Sequence, residues 1–177
     1  GPASLEVEKK DGSTATIAAD KIIIATGSRP AELPAFKFDG KNILSSNEAL
    51  TITDIPKSML IIGAGVIGCE FACIYNEFGT DVTMVEMMPR AVSTEDEEIS
   101  ELLAKELKKK KIKLLTGVGV AKVEKTPDGM HAYLSDGKEM AAEKILVSIG
   151  RALNSDNIGL ASVGINRGKR GEIIVDN

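Results

Sequence analysis

Residues Met59 to Glu86 read MLIIGAGVIGCEFACIYNEFGTDVTMVE. An apolar run, Met59 to Ile62, meets three glycines, Gly63, Gly65 and Gly68. A stretch of helical spacing follows, then a second apolar run, Asp81 to Val85, that stops on Glu86. Strand, tight turn, helix, strand and acid in that order predict a dinucleotide-binding unit. Each part has a physical job. Gly63 lets the chain turn sharply off the strand, Gly65 lets a pyrophosphate approach the backbone, and Gly68 lets the helix pack closely on the sheet. The free N–H groups and positive dipole end of the helix would hold the pyrophosphate. Glu86 stands about 20 residues on, where a carboxylate accepts hydrogen bonds from the adenosine ribose hydroxyls. A GxGxxG alone is a weak signal, and it is the flanking strand, helix and acid that make it specific.

Downstream, the pattern predicts the rest of an α/β domain. The helix spans about Val66 to Phe78, with Ile67, Phe71, Ile74, Tyr75 and Phe78 on one face and Gly79 at the C-cap position. A second helix runs from about Asp96 to Lys110, capped by Ser93 or Thr94. Its stripe is Ile99, Leu102, Leu103, Glu106 and Leu107. Ile112 to Leu115 forms the third strand. Val118 to Lys125, Met130 to Leu134 and Lys138 to Met140 form a three-stranded meander, with Pro127-Asp128-Gly129 and Asp136-Gly137 at its turns. Lys144 to Ile149 is a buried strand ending on Gly150. The fold class is α/β: a Rossmann-like parallel sheet completed by a three-stranded antiparallel meander.

Upstream, Leu5 to Ile17 reads as a hairpin about Asp11-Gly12. Asp20 to Gly27 reads as a buried strand. Ser28 to Asn42 holds Pro30 and Pro34 and reads as an extended linker. Ser45-Ser46-Asn47-Glu48 offers caps for a short helix that stops before Pro56. In the tail, Arg151 to Asn177, only Glu172 to Val175 has strand character.

Two segments echo one another. Val7-Glu8-Lys9, an Asp-Gly turn and IAADKIIIATG (Ile17 to Gly27) match Val123-Glu124-Lys125, an Asp-Gly turn and MAAEKILVSIG (Met140 to Gly150). Only the second copy has a glycine unit ahead of it. The echo implies two tandem dinucleotide-binding domains, the first lacking its front, so the chain reads as a fragment; chance likeness of two strands is the alternative. The expected division is 1–44, 45–150 and 151–177.

Composition sets bounds. The chain has 177 residues, 43% apolar and 27% charged, with a net charge of −4. These values are ordinary for a globular protein and give no reason to expect nucleic acid or membrane partners. No segment approaches the ~20 apolar residues of a membrane span. Gly1-Pro2-Ala3-Ser4 lacks the features of a signal peptide and reads as a cloning remnant. Two cysteines without a signal point to a reducing compartment, the cytoplasm or a mitochondrial matrix. The run Lys108 to Lys111 reads as a solvated helix end, where cations complement the dipole.

With these elements in place, a family resemblance emerges. The chain resembles the central part of the flavin-dependent pyridine nucleotide–disulfide oxidoreductases, nearest to their dihydrolipoamide-oxidising branch. ATGSRP (Ala25 to Pro30), SSNEAL (Ser45 to Leu50), IIGAGVIGCEFA (Ile61 to Ala72), VEMMPR (Val85 to Arg90) and SIGRALN (Ser148 to Asn154) carry the likeness. GEIIVDN (Gly171 to Asn177) resembles the segment leading back into the flavin domain. The resemblance implies a relay in which a dithiol reduces a cysteine pair, the pair reduces FAD, and FAD passes hydride to NAD. This chain would supply the NAD domain with remnants of the FAD domain, and its whole parent would be a homodimer that serves a lipoyl-bearing complex.

Site residues follow from the matched motifs. Gly63, Gly65, Val66, Ile67 and Gly68 would surround the pyrophosphate and nicotinamide side, and Glu86 the adenosine ribose; Met87 and Met88 edge the adenosine site or pack locally. Glu70 resembles a family glutamate near the nicotinamide, and a helix residue favoured near a positive helix end is the alternative. Val66 occupies the place of an aromatic gate and is too small to be one. Gly150 resembles a strand-end glycine beside the nicotinamide, or is simply a turn. Val118 lines the adenine pocket or is a core valine. Thr26 and Gly27 match residues that touch FAD. The redox CxxxxC, the catalytic His-Glu pair and the flavin domain's own GxGxxG are missing from the matched region, so no catalytic residue is expected here. Another disulfide reductase acting on glutathione, mercuric ion or coenzyme A disulfide is one alternative, and a non-catalytic NAD-responsive module is the other. The fragment is expected to be a monomer or weak dimer.

Three further residues invite roles and are better explained otherwise. Cys69 and Cys73 lie one helical turn apart, a poor geometry for a disulfide, and read as packed thiols. His131 has no Cys or His cluster near it in sequence and reads as a bystander; no metal site is expected. Arg90 follows Pro89, and its direction, which bears on NAD against NADP, is unreadable from sequence; Glu86 itself favours NAD by repelling a 2′-phosphate.

Overall fold

The computed structural model describes residues 4–176. They form two compact units: the described residues up to Arg29 with those from Ala152 onward, and Pro30–Arg151. The reading of the N-terminal tetrapeptide falls largely on residues 1–3, outside the described residues.

In the smaller unit, β1 (Ser4–Glu8) and β2 (Thr14–Ala18) form the antiparallel hairpin that Asp11-Gly12 signals. Asp11 accepts from the Ser13 N–H and hydroxyl, and Gly12 takes a φ of +80°. The segment 21–27 is not a strand. Ile23 is 91% exposed. An apolar run becomes a strand only when a neighbour completes the ladder, and among the described residues none pairs with it. β3 (Ser28–Pro30) follows. Toward the C-terminus, Glu172 to Val175 is also not a strand; only an isolated bridge, Arg167 to Ile173, forms there.

The larger unit is built on a five-stranded parallel sheet. Its strands and helices are β4 (Ile43–Leu44), α1 (Ser46–Ala49), β5 (Ser58–Ile62), α2 (Val66–Glu77), β6 (Asp81–Glu86), α3 (Glu97–Lys109) and β7 (Lys113–Thr116), with β8 (Val120–Thr126), β9 (Gly129–Leu134), β10 (Glu139–Ala142) and β11 (Lys144–Val147) after them. The sheet order is β4-β11-β5-β6-β7, and β10-β9-β8 form the separate antiparallel meander. β12 (Arg151–Leu153) pairs with β3 in a two-stranded sheet.

Because side chains alternate along a strand, each central strand feeds two cores. Met59, Ile61, Val82, Met84 and Leu146 face α2 and α3, whereas Leu60, Ile62, Val85, Ile145 and Val147 face the meander residues Met130, Ala132 and Leu134. This double burial explains the unbroken apolar runs that marked these strands in sequence. Phe36 is buried in the meander-side core, so the stretch read as a linker contributes packing.

The helix stripes needed correction. α2 buries Gly68, Cys69, Phe71, Ala72 and Tyr75, while Ile74 is 43% and Phe78 61% exposed. Small residues let the helix approach the sheet along the Gly68–Ala72 line, which rotates Ile74 and Phe78 outward. α3 buries Ser100 and Leu107 and exposes Ile99 and Leu102. Its cap is Asp96, which accepts from the Glu98 N–H, rather than Ser93 or Thr94. Ser45 and Glu48 close a capping box on α1.

Asp39 organises the turn into β4. Burial acts to raise its pKa, but the backbone N–H groups of Ile43, Lys41 and Asn42 and the Asn42 side chain together lower it to about 2. A depressed folded-state pKa adds stability above the unfolded value of 3.8, and that stability is lost as pH falls toward 2. Asp39→Asn is therefore expected to lower the urea midpoint at pH 7 and to leave it nearer the parent's at pH 2.5. An equal difference at both pH values would refute this assignment.

Candidate functional site

A cleft of about 640 Å³ opens at the C-terminal ends of β5, β6 and β11. That is where open parallel sheets bind ligands, and the volume suits a small-molecule site. Gly63, Gly65, Val66, Ile67, Glu86, Met87, Val118 and Gly150 all line it. Thus eight of the sequence-predicted residues converge on one place.

Two glycines are required by close approach. Gly63 has a φ of +101°, and a Cβ there would stand 2.5 Å from the Ser148 carbonyl oxygen. At Gly68 a Cβ would meet the Gly63 oxygen at 2.1 Å. Gly68 therefore lies behind the loop, setting how near α2 comes, and does not line the cleft. Gly65 differs from both. A Cβ there meets nothing within 4 Å. It is the N-cap of α2 and offers no side chain to cap the helix. The first-turn amides and the positive dipole end are thus left to a ligand, and an anion fits there.

The loop is fixed from below by groups the motif does not specify. Ser148 donates its hydroxyl to the Gly63 oxygen at 3.0 Å. The Val92 N–H donates to the Ala64 oxygen at 2.8 Å. Val92 holds a φ of +41°, an uncommon conformation for a β-branched residue. Ser148 sits inside the quoted SIGRALN motif, so sequence contained its position but not its role; nothing in the sequence marks Val92.

Glu86 closes the other side. One carboxylate oxygen accepts from the Ala64 N–H at 2.7 Å and the other from the Met88 N–H at 2.7 Å. A carboxylate has about four acceptor positions, so two remain for hydroxyl donors. Arg90 is directed elsewhere. Its guanidinium donates to the carbonyls of Ser93 at 3.4 Å and Glu95 at 3.2 Å, and it does not line the cleft.

Some predicted residues are not in the cleft. Glu70 is exposed on α2 and does not line it. Thr26 and Gly27 belong to the smaller unit, where their carbonyls accept from the Asn154 side-chain amide and backbone N–H, each at 3.0 Å. Cys69 and Cys73 are free thiols. Burial first, then the neighbouring Cys73, Glu86 and Glu70, push the Cys69 thiol up to about 11, so it stays protonated and inert. His131 pairs with Glu139 across β9 and β10. Among the described residues no group of His, Cys, Asp and Glu could hold a metal ion, and no helix is long and apolar enough to cross a membrane.

Sheet order, cleft position and glycine loop together define a Rossmann-like α/β domain. The chain belongs to the pyridine nucleotide-disulphide oxidoreductase family, whose sequence profile matches residues 1–177. It is 42% identical to the dihydrolipoyl dehydrogenase of Bacillus subtilis over 170 residues, covering 93% of this chain and 36% of that protein. The Rhizobium etli dihydrolipoyl dehydrogenase is 41% identical over 165 residues, 91% of this chain and 34% of its own length. Among solved structures, LpdA of Mycobacterium tuberculosis superposes with a TM-score of 0.90 at 30% identity, covering 97% of this chain and 37% of that one. The NAD-dependent persulfide reductase of A. fulgidus gives 0.85 at 28% identity, covering 99% and 33%. The chain thus spans about a third of the length of the curated relatives it matches.

Proposed function

We propose that this chain is the NAD(H)-holding part of a flavin-dependent oxidoreductase of the dihydrolipoyl dehydrogenase type. The observation that carries the reading is the pairing of an uncapped helix start at Gly65 with a carboxylate at Glu86 across one cleft. Gly65 and the first turn of α2 receive the pyrophosphate, with Gly63 and Gly68 setting the loop that presents them. Glu86 accepts from the adenosine ribose hydroxyls with its two remaining positions. Met87 and Val118 flank the adenine. Val66, Ile67 and Gly150 border the nicotinamide end, with Glu70 at its margin. Thr26 and Gly27 contact FAD in the complete enzyme. When bound there, FAD and NAD supply hydride transfer; this chain's residues bind and orient. The dithiol donor, the redox cysteines, the homodimer contacts and any lipoyl-bearing complex belong to the whole protein.

Two expected outcomes test this reading. NADH should bind the purified chain at least about tenfold more tightly than NADPH in a fluorescence titration, about 1.4 kcal/mol of discrimination. The Glu86 charge opposes a 2′-phosphate, and Arg90 is engaged with the Ser93 and Glu95 carbonyls rather than available to pair with one. Equal or tighter NADPH binding would sink the assignment of Glu86. The same preparation should show no lipoamide-dependent NADH oxidation in a spectrophotometric assay. Turnover above the blank would mean that the chain carries its own redox machinery.

A further inference from the structure

β7 is the open edge of the parallel sheet, with β6 as its one partner in it. An edge strand presents a row of unpaired backbone N–H and C=O groups. Here a groove of about 750 Å³ follows that edge. It reaches around both faces of the sheet. Ser100, Ala104 and Lys108 of α3 wall one side, and Met140 of β10 lies on the other. Leu114 packs toward the α3-side core and Leu115 toward the meander-side core, so the groove continues both cores outward.

The charge at this groove is mainly positive, and the one carboxylate that lines it, Glu101, is paired with Lys105. Lysines cluster at the end of α3, yet several are neutralised: Lys105 by Glu101, Lys109 by Glu106, Lys110 by Glu77 and Lys113 by Asp81. Lys108 and Lys111 have no carboxylate partner among the described residues, and both line the groove. Arg90 lines it too, with a buried Nε–H that has no partner among the described residues. Two unpaired lysines, Lys108 and Lys111, therefore stand beside an apolar trough with an open strand edge as its floor.

We propose that this edge is a docking site for an extended acidic peptide segment, which joins the sheet beside β7 as a sixth strand. Backbone pairing would supply the affinity, and carboxylates meeting Lys108 and Lys111 the selectivity. Lysines on an edge also deter unwanted pairing. Deterrence accounts for Lys113 but not for an apolar groove beside it. A second copy of this chain is a poor occupant, because its own Lys108 and Lys111 would oppose these like charges.

The test uses the 177-residue chain, labelled with nitrogen-15, and a capped six-residue peptide that alternates Glu and Val. The peptide should give saturable shifts at the amides of residues 113–116 and slow their hydrogen exchange at least about fivefold. The Lys108→Glu/Lys111→Glu double variant should weaken binding at least about fivefold while keeping the remaining spectrum unchanged. A peptide with Lys in place of Glu should not bind. Three results would each overturn the proposal: no saturable shift at 113–116, equal binding by the same acidic peptide N-methylated on alternate residues, or the same shifts from citrate alone. The second would mean simple charge adsorption and the third a small-anion pocket. Shifts confined to the glycine loop would likewise overturn it, by placing the peptide in the dinucleotide cleft.

Discussion

Gly68→Ala is expected to destabilise the domain strongly, whereas Gly65→Ala is expected to leave it folded and to lose nucleotide affinity. The two glycines stand three residues apart in one motif, but they meet opposite surroundings. A Cβ at Gly68 would lie 2.1 Å from the Gly63 oxygen and 2.7 Å from the Ser148 hydroxyl. The first is backbone on a loop held by Ser148 and Val92, so it has little room to yield. Overpacking of a close-packed core costs about 1–3 kcal/mol and sometimes more. Gly63→Ala adds a positive φ to a 2.5 Å contact and should fare no better. Gly65 has a φ of −72° and open space around the Cβ direction, so alanine is sterically acceptable to the folded chain. That methyl would instead occupy the space the pyrophosphate needs. Thermal unfolding and NADH titration of the variants separate the two effects. A Gly65→Ala variant that binds NADH normally would show that the ligand does not approach α2 there. A Gly68→Ala variant with unchanged stability would show that the helix can withdraw at no cost.

The second large effect belongs to Glu86. Glu86→Ala removes the acceptor of two backbone N–H groups, those of Ala64 and Met88. A hydrogen bond to a charged acceptor contributes about 1.5–3 kcal/mol, and a stranded buried donor costs a similar amount. The Met88 N–H is exposed and can turn to water, so the loss falls mainly on the Ala64 N–H; the variant should lose about 1.5–3 kcal/mol of stability and at least about tenfold in NADH affinity. Glu86→Gln is the sharper probe. It keeps one oxygen acceptor, so stability should recover in part. Its amide N–H₂ faces the second backbone donor and one ribose hydroxyl acceptor position, so affinity should remain low. Urea unfolding and calorimetric titration of both variants decide the matter. Affinity that is intact in Glu86→Ala would reduce Glu86 to a structural clamp of the glycine loop.

These two predictions rest on different kinds of information. That Gly63, Gly65, Gly68 and Glu86 belong together was legible in the sequence, because a turn, a helix start and a strand end are encoded by local spacing. The meander was legible for the same reason, with its turns at Gly129 and Asp136-Gly137. Which apolar residues the helices bury was not. Hydrophobic periodicity placed Ile74, Phe78, Ile99 and Leu102 inside, and all four are exposed. A helix's rotation is set by what it can approach, and small residues such as Gly68, Ala72 and Ser100 approach most closely. The segment 21–27 misled in another way: its apolar run specifies a strand only in company, and no described strand pairs with it.

The sequence alone determined that this chain carries a glycine-loop cleft with an acid at the end of the next strand, because those features depend on neighbours within a single βαβ unit. It also determined the family, through motifs spread along the chain. Only the tertiary structure decided that Arg90 turns away from the cleft, that Ser148 and Val92 hold the loop from beneath, and that Gly65 faces open space while Gly68 faces backbone. The Ser148 and Val92 contacts join segments far apart along the chain and are fixed only when the sheet and its two cores assemble, whereas the Arg90 and Gly68 contacts are close in sequence but follow from the loop geometry that this assembly imposes.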